Sequence, residues 1–364
     1  MAQPVPERDV PPLPWARMTL IVLLIVIALT TAWEWQMRER GFLPGDLGDE
    51  AAAWAEQRQR LDTEHPPVAI VGDSRILFDT DLAYFQRLTG VKPVQLALAG
   101  TNARPFLEEI ADHSRFSGLL LVGIAEVSYY RSGIGFGGGA LKAARFESPN
   151  QRISFILSRP LRRALGFLDQ NASLSTQVTH LDRNWRPGTR GPYADVWKMA
   201  AFRDDRQAEL WSRIETDPFL RAHAIGVWLK MYAMPGPTPE AIAETEARTK
   251  AAVAKIRARG GEVIFLRPPS ATQLRAIEDE RVPRAKVWDR LMHAAEVQGI
   301  HSDDLPAAQG LDLPELSHLS KACAPVYTDA YVRALTAITP RIRLARDAPP
   351  PLTRADCVAG TRIE

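Results

Sequence analysis

The chain has 364 residues but only two cysteines, Cys323 and Cys357, and they form no CxxC pair. That argues against a zinc knuckle or a thioredoxin-type redox site. Two readings remain for them: one disulfide tying the C-terminal tail to the domain, if the domain lies outside the cytoplasm, or two free thiols. An excess of one charge is also missing. The 45 Lys and Arg residues against 43 Asp and Glu leave a net +2, and no basic stripe with interleaved aromatics marks a nucleic-acid surface. No His, Asp and Glu group has metal-ligand spacing, so neither a metal nor a cofactor is expected. No internal repeat stands out. What is present is ordinary for a folded chain: 46% hydrophobic and 24% charged residues, at a length that suits one large domain or two smaller ones.

One long apolar run stands near the N-terminus. Met18 to Trp33 (MTLIVLLIVIALTTAW) carries no charge, is bounded by Arg17 and Glu34, and is flanked by Trp15 and Trp35. At about 1.5 Å per residue it covers roughly 24 Å, and the interfacial tryptophans bring it to spanning length. Being apolar on every face, it reads as a membrane helix rather than a buried soluble one. No small-x-small cleavage site follows, so it reads as an uncleaved signal anchor over 18–35. Arg8 and Arg17 precede it while Arg38 and Arg40 follow, so the positive-inside rule does not choose an orientation. A short tail (1–17) before a large domain favours placing that domain outside. The expectation is a single-pass inner-membrane protein with its domain in the periplasm of a Gram-negative cell.

Residues 36–65 are polar and alanine-rich and read as a stalk or a helix leading off the membrane. An alternating pattern then begins. Val68 to Val71, Pro93 to Ala99, Leu119 to Ile124 and Glu262 to Leu266 are short, continuous apolar runs, and Ile300-His301 starts a fifth. Helical stretches lie between them, near Thr80 to Leu88, Ala103 to His113, Pro239 to Arg259 and Lys286 to Gln298, with a last helix near Thr328 to Ile338. Strands of this kind alternating with helices predict an α/β fold with a parallel sheet covered on both faces. The pattern is interrupted over 128–239, where no clear strand appears and Trp185, Trp197, Trp211 and Trp228 occur among many arginines. That segment reads as a helical insertion. It is either a lid or a partner- or membrane-facing subdomain, or plain helical packing with the tryptophans inside it. The tail over 346–364 reads as irregular.

The stretch PPVAIVGDSR, Pro66 to Arg75, holds the first candidate for chemistry. A buried strand stops at Gly72-Asp73-Ser74, which presents a serine hydroxyl at the C-terminal edge of the sheet, where ligands of open α/β sheets bind. The same tripeptide also suits a turn in which Asp73 or Ser74 merely caps a helix. A serine nucleophile needs a base, and the base needs a group that fixes its tautomer. Glu315-Leu316-Ser317-His318 offers both at a spacing that lets the carboxylate reach the far ring nitrogen. Glycines 133, 135 and 138 match G-x-G-x-x-G but stand beyond their strand with no acid at the right distance, so they read as a loop near the site. Arg267, at the end of the fourth strand, and Arg75, beside the serine, are candidates for binding an anionic sugar or phosphate, or else for a salt bridge.

Gly72-Asp73-Ser74 together with Glu315-x-x-His318-Leu319 resembles the first and last blocks of the SGNH (GDSL-like) hydrolase superfamily, over roughly 66–130 and 240–340. The resemblance implies a flavodoxin-like three-layer sheet within 66–345, with the insertion as an addition to it. It implies Ser74 as nucleophile, His318 as base, and Glu315 in place of the usual aspartate. The family's oxyanion hole uses the nucleophile's own N–H, a glycine matched here by Gly100, and an asparagine after the third strand. Ala125 stands at that last position, and Asn102 is the replacement donor expected from the neighbouring loop. With that departure the chain resembles the divergent, membrane-anchored members that act on envelope polysaccharides. This implies serine-dependent O-acyl transfer, foremost O-acetyl transfer, or an esterase with the same triad, or a non-catalytic polysaccharide-binding component. Several of those members work beside a multi-pass membrane-bound O-acyltransferase, which makes such a protein the expected partner.

Overall fold

The computed structural model describes residues 13–358, apart from 134, 136, 147, 174, 175, 177 and 179–197. The expectations for Arg8, Trp185, Trp197 and most of the 1–17 tail, and for the last residues of the C-terminal tail, lie outside the described residues.

The strands are β1 (Val68–Gly72), β2 (Val94–Gln95), β3 (Leu119–Gly123), β4 (Ala200–Phe202), β5 (Ala208–Leu210), β6 (Glu262–Arg267) and β7 (Gln298–His301). Five of them form one sheet in the order β2-β1-β3-β6-β7, with every pair parallel. This is the flavodoxin-like doubly wound order, whose switch point lies where β1 is flanked by β2 and β3. The uniform apolarity of the runs has a direct cause, because the sheet is covered on both faces. Val68, Ile70, Leu119, Leu121, Ile264 and Leu266 belong to one core. Ala69, Val71, Leu120, Val122, Val263 and Phe265 belong to the other. Alternate residues of a strand point to opposite faces, so both must be apolar when both are buried.

Pairing beyond β2 continues through Leu96 N–H to Ile70 O (2.7 Å) and Leu98 N–H to Gly72 O (3.0 Å), matching the longer expected strand. The insertion is not purely helical: β4 and β5 form an antiparallel hairpin within it. A helix over Thr272–Arg281 was not expected and follows β6. The tail includes a short helix, Arg354–Val358, and Cys323 is disulfide-bonded to Cys357 with Cα atoms 4.5 Å apart.

Helix α1 (Trp15–Glu39) is long and apolar enough to cross a membrane, with a mean hydropathy of 2.0 over its most apolar stretch and none of that stretch buried. Its C-terminal turns, by contrast, are part of the domain. Met37 is fully buried, and the Glu34 carboxylate accepts the N–H groups of Gly166 and Phe167, each at 3.0 Å. The segment 36–65 is therefore not a free stalk: of the two expectations the helix is present, but it is packed on the domain. Helix α2 (Ala51–Thr63) docks on the domain, burying Trp54 and Leu61, and the Trp54 indole donates to Leu96 O at 2.8 Å. Polar and alanine-rich composition concealed the few large apolar residues that do the docking.

Candidate active site

Helix α3 (Ser74–Asp79) begins where β1 ends, with Asp73 as its N-cap accepting the Arg75 N–H at 3.0 Å. Close backbone approach makes this turn possible. Gly72 and Gly123 are neighbours across β1 and β3, and a Cβ on Gly123 would overlap the Ile76 side chain. The second Asp73 oxygen accepts from Ala125 N–H (2.7 Å) and from the Ser128 hydroxyl (2.9 Å). Asp73 thus ties the turn after β1 to the loop after β3.

The chain from Leu313 to Ser320 brings a histidine to the same edge. Leu316 adopts φ +74°, a left-handed conformation that costs a leucine about 1–2 kcal/mol. It accompanies a tight return of the chain in which Glu315 Oε1 receives both the backbone N–H of His318 (2.6 Å) and its ring Nδ1 (2.8 Å). A carboxylate only accepts, so in the neutral ring Nδ1 carries the proton and Nε2 is left as acceptor. His318 Nε2 lies 2.8 Å from Ser74 Oγ. Asp79 pins the loop from below by accepting Leu319 N–H at 2.9 Å, and burial pushes its carboxyl well above the usual range.

Both Glu315 and His318 are buried, at 0% and 1% exposure. The Trp228 indole N–H donates to Glu315 Oε2, and its ring meets His318 edge-on at 5.6 Å. Phe78 packs on the same imidazole at 4.5 Å. Trp228 lies on the insertion helix Pro218–Tyr232. The neighbouring residues Val227, Met231 and Tyr232, with Met199, form one wall of a cavity of about 470 Å³ that holds Ser74 and His318. The insertion therefore covers the site. Trp211 instead packs in the core against Phe42.

Gly100 lines the same cavity at φ +67°, a backbone conformation that favours glycine. Among the described residues, the Ser74 and Gly100 N–H groups have no hydrogen-bond acceptor. Asn102 is at the cavity wall, but its amide is engaged. It accepts Arg104 N–H (2.9 Å) as the cap of helix Ala103–His113 and donates to Arg131 O (2.7 Å). Ala125 is buried behind Asp73 and does not line the cavity.

The two candidate arginines occupy one buried ionic cluster. Arg75 and Arg267, at 1% and 2% exposure, both bond Glu278, and Arg267 also reaches Glu126 at 3.3 Å. Burial alone would raise the Glu278 carboxyl, but the two guanidiniums outweigh it and bring it down to about 2. Arg75 donates further to Tyr232 (3.2 Å) and Ser317 (3.3 Å), and only its Nη1 lacks a partner among the described residues. Arg267 does not line the cavity. Of the sequence-level alternatives for this pair, the salt bridge is the one present. Its carboxylate, Glu278, left no signal in the sequence because its two arginine partners come from separate elements, α3 and β6.

The glycine-rich segment from Gly133 lines the cavity mouth through Gly133 and Gly135, while positions 134 and 136 lie outside the described residues. Among the described residues there is no cluster of three or more His, Cys, Asp or Glu able to hold a metal. Fold and site together define a class: a doubly wound α/β protein with an apolar N-terminal helix and a hydrogen-bonded Ser–His–Glu arrangement at the switch point of its sheet. No protein-family model matches the chain, and no curated protein matches it.

Proposed function

We propose that the protein is an SGNH-type serine acyltransferase that moves O-acyl groups, foremost O-acetyl, on a cell-envelope polysaccharide. The observation that carries this reading is the pair of 2.8 Å contacts linking Ser74 to His318 and His318 to Glu315. In the proposed reaction Ser74 Oγ attacks the acyl carbonyl while its proton passes to His318 Nε2. Glu315 stabilises the imidazolium that forms. The Ser74 and Gly100 N–H groups face the developing oxyanion, and Asn102 borders the same space. Collapse of the tetrahedral species expels the donor's alcohol, which takes the proton from His318, and leaves an acyl-serine. A sugar hydroxyl then attacks that ester, with His318 again as base; attack by water would make the protein an esterase.

Helix α1 supports a membrane anchor, and the Cys323–Cys357 bond supports an oxidising compartment, which is the periplasmic side for the domain. A membrane-bound O-acyltransferase as acyl donor fits an anchored transferase. The absence of an asparagine at Ala125 favours a second reading, a polysaccharide-binding component that keeps the fold without turnover, because one missing oxyanion donor typically costs about 10²–10³ in rate.

A fluorophosphonate probe on the full-length protein in detergent separates the two. Covalent labelling of the wild type, with none in Ser74→Ala, is the expected result. An unlabelled wild type with an intact fold overturns the catalytic reading. Hydrolysis of p-nitrophenyl acetate that persists in Ser74→Ala overturns the assignment of the nucleophile.

A further inference from the structure

Helix Pro149–Ala164 is amphipathic in the wrong sense for a surface helix. Such helices turn their apolar stripe inward. Here Ile153, Ile156, Leu157, Pro160, Leu161 and Ala164 are all exposed, the four large residues among them between 54% and 64%. At 3.6 residues per turn these six share one stripe about 140° wide. The opposite side faces the protein and is mainly polar: around a half-buried Phe155, Arg159 pairs with Glu56 at 2.8 Å, and Arg162 bonds Glu50 and donates to Leu47 O at 3.0 Å. The helix is thus held to the domain mainly by charged pairs, with Phe155 beside them, while its broad apolar stripe is left uncovered.

What covers it is indicated by where the helix ends. Ala164, on the stripe, has its carbonyl 3.4 Å from Arg38 Nη2, and the following Gly166 and Phe167 are bonded to Glu34. Glu34 and Arg38 lie in the turns of α1 just after its uncovered apolar stretch, whose large residues from Leu20 to Leu29 are each more than half exposed. Exposed Leu43 stands beside the same junction. The two uncovered apolar surfaces therefore meet at the point where α1 enters the domain.

We propose that helix Pro149–Ala164 lies in the headgroup–acyl boundary of the bilayer leaflet from which α1 emerges, with its stripe in lipid. Such helices bury their apolar face roughly 5–10 Å into that boundary. Arg152 and Arg163 flank the stripe on one side, Arg163 paired with Asp204, and long cationic side chains at such an edge lie at the level of lipid phosphates. The domain would then rest on the membrane through two elements, α1 and this helix, so that the orientation of the cavity toward the membrane is fixed. The proposal rests on α1 being membrane-embedded and is independent of the catalytic reading.

The test is spin-label accessibility in the full-length protein, reconstituted in phosphatidylethanolamine–phosphatidylglycerol vesicles. Leu157→Cys and Leu161→Cys carry the label on the stripe, Lys250→Cys serves as the aqueous control, and Ile25→Cys reports on α1. The expected result is collision with oxygen several-fold above that with a water-soluble nickel chelate at positions 157 and 161, and the reverse at 250. Equal nickel accessibility at 157, 161 and 250 overturns the proposal. Shielding from both reagents also overturns it and assigns the stripe to a second copy of the chain. A water-accessible label at position 25 places the failure in the membrane reading of α1 instead.

Discussion

The indole N–H of Trp228 donates to Glu315 Oε2, while Oε1 of the same carboxylate holds His318 through both its backbone and its ring. Both oxygens of a fully buried acid are thereby satisfied, one from the loop that carries the histidine and one from the insertion that covers the cavity. The cover and the Ser–His–Glu arrangement are one structural unit.

Replacing Trp228 by Phe keeps the ring against His318 but removes the donor. A buried acceptor left without its partner costs about 1–3 kcal/mol. Under the catalytic reading, kcat for p-nitrophenyl acetate falls about 10–100-fold with KM little changed. An unchanged kcat, with the helix still in place by circular dichroism, removes Trp228 from the arrangement.

Glu315→Gln tests the acid directly. The amide no longer imposes the tautomer that leaves Nε2 free for Ser74, a change that costs about 10⁴ in kcat in comparable triads. Esterase rates and fluorophosphonate labelling rates are both expected to collapse, while the folded far-UV spectrum persists. Labelling at the wild-type rate contradicts the role of Glu315.

The Arg75–Glu278–Arg267 cluster makes stability depend on acid pH. The Glu278 carboxyl sits at about 2 in the folded protein, below the ordinary 4.5. A group depressed in this way contributes stability above its unfolded value and loses it as pH falls through the folded one, here between about 4.5 and 2, to the extent of roughly 3 kcal/mol. His301 adds to this at higher pH. Burial and then the Arg267 charge lower its imidazole to about 3, so its contribution is present above 6.5 and is lost on acidification toward 3. Urea midpoints measured from pH 7 to pH 3 should fall throughout, and His301→Gln should flatten the upper part of that curve. Glu278→Gln, by leaving two buried cations short of a partner, should cost about 3–5 kcal/mol at pH 7.

The disulfide closes a loop between positions 34 residues apart. Loop-closure entropy for that length predicts that Cys323→Ser with Cys357→Ser lowers unfolding stability by about 4 kcal/mol. Urea denaturation of the oxidised wild type against the double variant measures it, and equal midpoints would show that the bond is not formed in the protein.

Much of the sheet was legible from local pattern. Continuous apolar runs such as VAIVG and LLLVG are what a strand buried on both faces must present, and Asp81, Asn102 and Thr238 cap helices between the strands. The three-residue strands β4 and β5 were not legible, because AAF and AEL have too few residues to show a period. The docking of helix α2 was not legible for a similar reason, since Trp54 and Leu61 are its only large apolar residues buried on the domain.

Local sequence by itself determined which residues could do chemistry: a serine after a buried strand, and a glutamate three residues before a histidine. It also determined the apolar N-terminal helix, because these features depend only on neighbours in the chain. Only the tertiary structure decided that Ser74 and His318, 244 positions apart, meet at 2.8 Å. It alone placed Arg75 and Arg267 in a buried ionic cluster, and Trp228 on the acid. Those outcomes depend on the parallel sheet order and on how the insertion folds back over it, and distance in space between remote segments leaves no periodicity along the chain to read.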